Sequence, residues 1–389
     1  MLYNGDKNKK LENVKITYNI YMKIIFNTKD FIGKIKNIAP TAEVKQTLTI
    51  LGNLVVRVKG NMAYFSASDL EIEVFSEMDC DSEGDVDFTI PAKKLLEILS
   101  ALSSHETVTV NVNKEKADIT AGKSKISLPT LPIEDYPSLD NHPEESEHKI
   151  SKKELMNLIN KTSFAMAYQD ARHFLNGLHL CSNNGKLVAV CTDGHRLAKY
   201  ESSDDASDDL ALIIPRKAIT EINRILQSFN DNNQMLVTYS YNSKNFTLKM
   251  EGYKIITKLI EGNFPNFNKV IPEDTKAKIT IDKTTLKNSL NIISKGVNQQ
   301  YKGVKLTPEA KTMHLITSNT ESEVGEDQID VLYNGDPMSV GFNISYLQDV
   351  IDVISGENID ICINDQNSGC LIRGDKDSES IYVIMPMRV

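Results

Sequence analysis

Asp193 and His195 come nearest to chemistry in this sequence, within the run Thr192-Asp193-Gly194-His195-Arg196-Leu197-Ala198. Asp-x-His supplies a carboxylate and an imidazole, the groups a metal-dependent hydrolase uses to hold an ion or move a proton. Two ligands with no third, and no nucleophile beside them, leave that chemistry incomplete. A polar strand corner accounts for the same residues. Leu187-Val188-Ala189-Val190 reads as a β-branched strand, Asp bonds its own backbone locally, and Gly tolerates positive φ. A third reading is a binding surface, raised by the chain end Tyr382-Val383-Ile384-Met385-Pro386-Met387-Arg388-Val389. That tail sets adaptable Met around a rigid Pro, and Met suits surfaces that receive several apolar partners.

Composition narrows the classes. The five cysteines (Cys80, Cys181, Cys191, Cys362 and Cys370) are scattered and never spaced C-x-x-C. That argues against a disulfide framework or a zinc site and for a reducing, cytoplasmic setting. No apolar run approaches the roughly 20 residues that span a bilayer, so no membrane partner is expected. Gly122-Lys123-Ser124 looks like the end of a phosphate-binding loop, but Ala117 stands where a Gly is required and a strand follows. With no G-x-S-x-G, H-E-x-x-H or G-x-G-x-x-G either, no cofactor, metal or catalytic residue is expected.

The elements that position these stretches recur. At 389 residues the chain exceeds one ordinary core, and from Met22 one pattern runs three times: a strand, an amphipathic helix, strands, a second helix, strands. The first helix spans Thr28 to Ile38, with Phe31, Ile35 and Ile38 inward. Strands are expected at Ile50–Val58, Thr107–Val112 and Ala117–Thr120. In the second copy Ser151 caps a helix with Glu154 at capping-box spacing, and Phe174–Leu178 reads as a strand. In the third, Asp282 caps the helix through Leu286, Leu290 and Ile293, and Tyr301–Val304 reads as a strand. Thr192-Asp193 matches Ser68-Asp69 and Ser318-Asn319, and Ile214-Pro215 matches Ile90-Pro91. Periods this long are whole α+β domains rather than solenoid units. The acidic run from Glu201 to Asp209 reads as a solvated loop.

Charge is unevenly spread. The chain carries a formal net charge of −9, yet five of the six expected helices are net basic. Lys152 and Lys217 are among their cations. A basic surface built at equivalent places in successive copies suits phosphate, and the lack of interleaved aromatics points to backbone contact without base reading.

Thr192–Ala198 and the Met385-Pro386-Met387-Arg388 ending together resemble the bacterial DNA polymerase III β subunit, the sliding clamp, over about Met22 to Val389. The resemblance implies three repeated sliding-clamp domains, at 22–146, 147–274 and 275–389, after a poorly ordered extension at 1–21. Helices would lie inside and antiparallel sheets outside, and two chains would close head to tail into a ring around duplex DNA. It implies a non-enzymatic processivity factor whose pocket holds the DNA polymerase III catalytic subunit, the clamp loader, and other polymerases and repair proteins. Carried onto matching positions, the pocket would use Leu175, Thr192, Gly194, His195, Arg196, Leu197, Pro265, Val270, Asn343, Tyr346, Val383, Met385, Pro386, Met387 and Arg388. Lys45, Gln169, His173 and Phe174 would join Lys152 and Lys217 in touching DNA. Ile126 and Leu128 would face Ile292 and Ile293 across the homodimer interface. The sequence departs from the family pattern at Lys269, His173, Gly369 and Val389.

Overall fold

The computed structural model describes residues 21–43, 48–139, 147–205, 210–229, 235–273, 275–296, 303–319 and 322–388. The expectations for Lys45, Tyr301, Val389 and the N-terminal extension before Tyr21 lie outside them.

The repeat is one structural pattern. The first copy runs β1 (Met22–Asn27), α1 (Thr28–Ile38), β2 (Asn53–Lys59), β3 (Met62–Ser68), β4 (Ile72–Asp79), β5 (Asp81–Ser82), β6 (Val86–Pro91), α2 (Ala92–Ala101), β7 (Thr107–Val112), β8 (Lys116–Ala121) and β9 (Ser124–Pro129). The second runs β10 (His148–Ser151), α3 (Lys152–Asn160), β11 (Gly177–Asn183), β12 (Lys186–Thr192), β13 (Arg196–Asp205), β14 (Ala211–Pro215), α4 (Arg216–Ser228), β15 (Leu236–Tyr241), β16 (Asn245–Met250) and β17 (Tyr253–Lys258). The third runs β18 (Ala277–Asp282), α5 (Lys283–Ile293), β19 (Gly303–Pro308), β20 (Thr312–Ser318), β21 (Val324–Asp330), β22 (Leu332–Tyr333), β23 (Val340–Asn343), α6 (Ile344–Val353), β24 (Asn358–Ile363), β25 (Cys370–Gly374) and β26 (Ser380–Ile384).

Strand passes directly into helix because the last strand residue is also the cap. Asn27, Ser151, Asp282 and Asn343 each accept a backbone N–H from the first turn of the helix that follows. Phe31, Ile35 and Ile38 are buried, as are Leu286, Leu290 and Ile293. Within each copy the two helices pack together: α1 on α2, α3 on α4, α5 on α6.

The chain divides into two compact units. One comprises residues up to Asp69 with Phe75–Pro137; the other comprises Leu70–Val74 with the chain from Ser138 onward. In the first, β5, β1, β7, β8 and β9 form an antiparallel sheet with β9 on its edge, and β2 pairs with β6 and β3. In the second unit the second and third copies share a nine-stranded sheet, β14-β11-β12-β13-β26-β25-β24-β18-β22. β13 pairs with β26, setting Arg196 opposite Ile384 and Leu197 opposite Val383. Across that seam lies a core of Cys181, Val188, Val190, Leu197, Cys362, Leu371 and Val383. The remaining sheet of the third copy is β21-β20-β19-β23, with β21 on the edge.

Four local expectations are corrected. Ile50–Gly52 and Phe174–Leu175 lie in 3₁₀ turns rather than strands. Glu201–Asp205 continues β13 instead of looping out. The reason is Glu154, whose buried carboxylate accepts from the Tyr200 and Ser202 hydroxyls and the Ser203 N–H. Glu154 therefore does not reach back to Ser151, whose N–H donates to Asp204 instead, so the capping box is only half formed.

Candidate functional site

The Thr192–Arg196 corner is a self-satisfied turn. The Thr192 hydroxyl donates to the Arg196 carbonyl at 2.6 Å and accepts the Gly194 N–H at 3.1 Å. One Asp193 oxygen accepts the N–H groups of His195 and Arg196 at 2.9 and 3.0 Å. Gly194 sits at φ +89°, a conformation that favours glycine, and a Cβ there would press on the Arg172 guanidinium at 3.0 Å. With one Asp193 oxygen spent on the turn and the other on Arg196 at 3.1 Å, neither remains to serve as base or ligand. The hydrolase reading of Asp193 and His195 finds no support in this geometry.

Arg196 has a structural task besides its place in the cleft wall. Besides Asp193, its guanidinium donates to Asp349 of α6 and, at 2.7 Å, to the Phe164 carbonyl. The Tyr346 ring lies 4.4 Å from the guanidinium and the Phe164 ring 5.3 Å. Its side chain is 11% exposed. Each of its three nitrogens donates to a partner within the chain, so Arg196, while lining the cleft, joins the corner of the second copy to α6 of the third. Tyr346, expected in the pocket wall, serves as its stacking platform. Asn343 is the cap of α6.

The two distant stretches meet because the tail continues the β13–β26 ladder. The Met385 N–H donates to the His195 carbonyl and the Met387 N–H to the Gly341 carbonyl, both at 2.8 Å. Arg172, Phe174, Leu175, Thr192, Gly194, His195, Arg196, Leu197, Pro265, Asn266, Phe267, Val270, Val383 and Met385 enclose a cleft of about 260 Å³. Ten of the fifteen expected wall residues line it, whereas Asn343, Tyr346, Pro386, Met387 and Arg388 lie outside its lining. Sequence reading missed Arg172, Asn266 and Phe267 and gave Phe174 to DNA, although the ring stands in the cleft wall. Arg172 is fixed there by a bidentate clasp on Asp170, at 3.0 and 2.9 Å, and a bond to the Asp193 carbonyl. The clasp holds the Asp170 carboxyl down to about 2. Val270, Met385 and Met387 are large apolar side chains left exposed. Apolar walls with a few placed polar groups suit a short peptide with hydrophobic anchors.

Beneath the cleft, buried His179 stacks on Phe264 at 4.4 Å and pairs through Nδ1 with the Leu212 carbonyl at 3.1 Å. Burial pushes its pKa below the ordinary value. A folded pKa below the unfolded one means that the unfolded chain binds more protons as pH falls, so stability present near neutrality is lost through and below about pH 6.5. Thermal melts should therefore drop between pH 7.5 and 5, and His179→Gln should flatten that slope; parallel slopes would contradict it. Burial also pushes the thiols of Cys191 and Cys370 up to about 12, which leaves them as packing groups.

The cations divide into two groups. Lys152 was expected to touch DNA but is buried, and its ammonium donates at 2.8 Å to the Phe229 carbonyl at the end of α4. Lys283 repeats the device, donating at 2.6 Å to Ile354 at the end of α6. In the second and third copies the first residue of the first helix thus satisfies the carbonyl end of its partner helix. Lys153 is exposed, as are Gln169 and His173 on the segment leading into β11, and Lys217 is half-exposed. At the expected interface, Ile292 is 66% exposed while Ile293 is core. Ile126 is half-buried and Leu128 buried on β9.

Three copies of one α+β fold, with a hydrophobic cleft where the second and third share a sheet, define a clamp-type accessory protein. Models of the N-terminal, central and C-terminal domains of the DNA polymerase III beta subunit match residues 22–140, 149–266 and 268–388. The chain is 33% identical to the beta sliding clamp of Pseudomonas aeruginosa, over 90% of this chain and 96% of that one. With the beta sliding clamp of Vibrio cholerae it shares 30% over 95% of this chain and 100% of that one. A crystal structure of the P. aeruginosa subunit matches with a TM-score of 0.88 at 30% identity, over 94% of this chain and all of that one. A clamp from Bartonella birtlesii bound to griselimycin matches with a TM-score of 0.90 at 26% identity, over 95% of this chain and all of that one. The chain belongs to the DNA polymerase III beta-subunit family, the bacterial sliding clamps, whose members are processivity factors and not catalysts.

Proposed function

We propose that the chain is a DNA sliding clamp: two copies close head to tail around duplex DNA, and the cleft of each tethers the replicative polymerase, the clamp loader and other replication or repair proteins. The β13–β26 pairing carries the reading. The third strand after the first helix of one copy pairs with the last strand of the next copy. The same rule leaves β21 of the third copy and β9 of the first as edge strands, which this reading pairs between two chains. A heterologous contact of that kind closes a ring when its rotation allows. Domains at 22–146, 147–274 and 275–389 and a cytoplasmic setting go with this reading. No helix of the described residues is long and apolar enough to cross a membrane.

The interface would combine Ile126 and Leu128 with Ile292 and with Val324 of β21, which is 54% exposed. Ile293 serves it only indirectly, as core under α5. Ile292→Asp with Val324→Asp should convert dimers to monomers by sedimentation with little loss of secondary structure. Dimers at the parental ratio would remove this interface.

Contact with DNA would be to phosphate, through Lys45, Lys153, Lys217, Gln169 and His173, and independent of base sequence. Replacing Lys153 and Lys217 by Ala should flatten the dependence of log affinity on log salt by about one unit per lost contact. An unchanged slope would show that these side chains face elsewhere. Ring closure makes departure depend on opening, so a chain of net charge −9 can remain on DNA through weak contacts.

A further inference from the structure

We propose that Gly369 sets the size of hydrophobic anchor the cleft accepts, favouring a bulky aromatic over a small aliphatic side chain; this rests on the cleft being a peptide site. Gly369 closes the β24–β25 loop, which Asp365 holds by accepting the N–H groups of Asn367 and Ser368, both at 2.8 Å, and the Ser368 hydroxyl at 2.6 Å. Its φ lies outside the left-handed region, so the backbone there admits any L residue. Space is what a side chain would lack. A Cβ at 369 would stand 3.0 Å from Val383 Cγ1, 3.3 Å from Met385 Sδ and 3.8 Å from the Val270 carbonyl oxygen. All three neighbours line the cleft. Gly369 is therefore the missing volume behind that wall.

The direction of the effect follows from which neighbour can retreat. Val383 is 2% exposed and its main chain is held in β26 between β13 and β25, so only its side chain can yield. Met385 is 40% exposed, and its main chain is tied to His195. An added Cβ would press both side chains into the cleft and leave less depth opposite Phe267 and Phe174. Those two rings, with Met385, make a wall suited to an aromatic anchor through ring–ring and sulfur–ring contact.

The test titrates the full chain with fluorescent decapeptides identical except for Val, Leu, Phe or naphthylalanine at one anchor position. Wild-type affinity should rise from Val to Phe by about tenfold or more. Gly369→Ala, with dimer and melting temperature as controls, should lose about tenfold on the Phe peptide and less than about twofold on the Val peptide. A flat wild-type series overturns the proposal even if the variant does not fold. A Gly369→Ala protein that keeps the parental Phe-to-Val ratio also overturns it. If no peptide binds the wild-type protein, the peptide-site reading itself fails.

Discussion

A chain ending at Ile384 should lose binding of polymerase-derived and clamp-loader-derived peptides together, by more than about a hundredfold, while remaining a dimer. The deletion removes Met385 from the cleft wall and the Met385–His195 and Met387–Gly341 backbone bonds that hold the tail. It spares the β13–β26 ladder, which ends at Ile384, and the shared core, so the second compact unit keeps its fold. Met385, in the cleft wall and 40% exposed, has a flexible thioether able to repack around different anchors, which is why unrelated partners should fail at once. Calorimetric titration of a single peptide, with sedimentation as control, decides it. Parental affinity in the truncated chain would remove the tail from the site.

Arg196→Ala should have the second largest effect, and it should fall on stability as well as binding. Removing a guanidinium that is only 11% exposed leaves the Asp193 and Asp349 carboxylates and the Phe164 carbonyl without their partner. Because Asp349 is 41% exposed, the cost lies below that of a fully buried pair, at about 2 kcal/mol, and for a unit of this size that is about 5 °C in melting temperature. Peptide affinity should fall by a similar factor for every anchor, because the residue acts chiefly by positioning the corner, its three nitrogens being engaged within the chain. Arg196→Lys should rescue little, since an ammonium can neither fork between two carboxylates and a carbonyl nor stack on Tyr346 in the same way. Full stability with a loss confined to peptides carrying a polar group would instead make Arg196 a direct contact.

Much of the fold was legible because it rests on short-range rules repeated three times. Caps at Ser151 and Asp282 and the apolar spacing of Phe31, Ile35 and Ile38 mark the helices without tertiary information. The cleft was legible in its two unusual stretches, which share neither a helix nor a hairpin and meet only through β13 and β26. What the sequence hid depends on where a long side chain ends. Lys152 and Lys153 are adjacent and alike, yet one caps α4 and the other faces solvent. Ile292 and Ile293 divide in the same way between surface and core. Arg172, Asn266 and Phe267 carry no local signal, because Arg172 is placed by Asp170 and the Asp193 carbonyl and Phe267 packs against His179. Arg196 was found by its motif, but its task depends on Asp349, 153 positions away in sequence.

The most direct measurement is retention on DNA of two topologies. The full chain, loaded by its clamp loader, should stay on nicked circular duplex through gel filtration in high salt. It should leave once the same DNA is linearised, since sliding off an end breaks no strong contact. Equal retention on circular and linear DNA, or equal loss from both, would contradict a closed ring that holds DNA by topology.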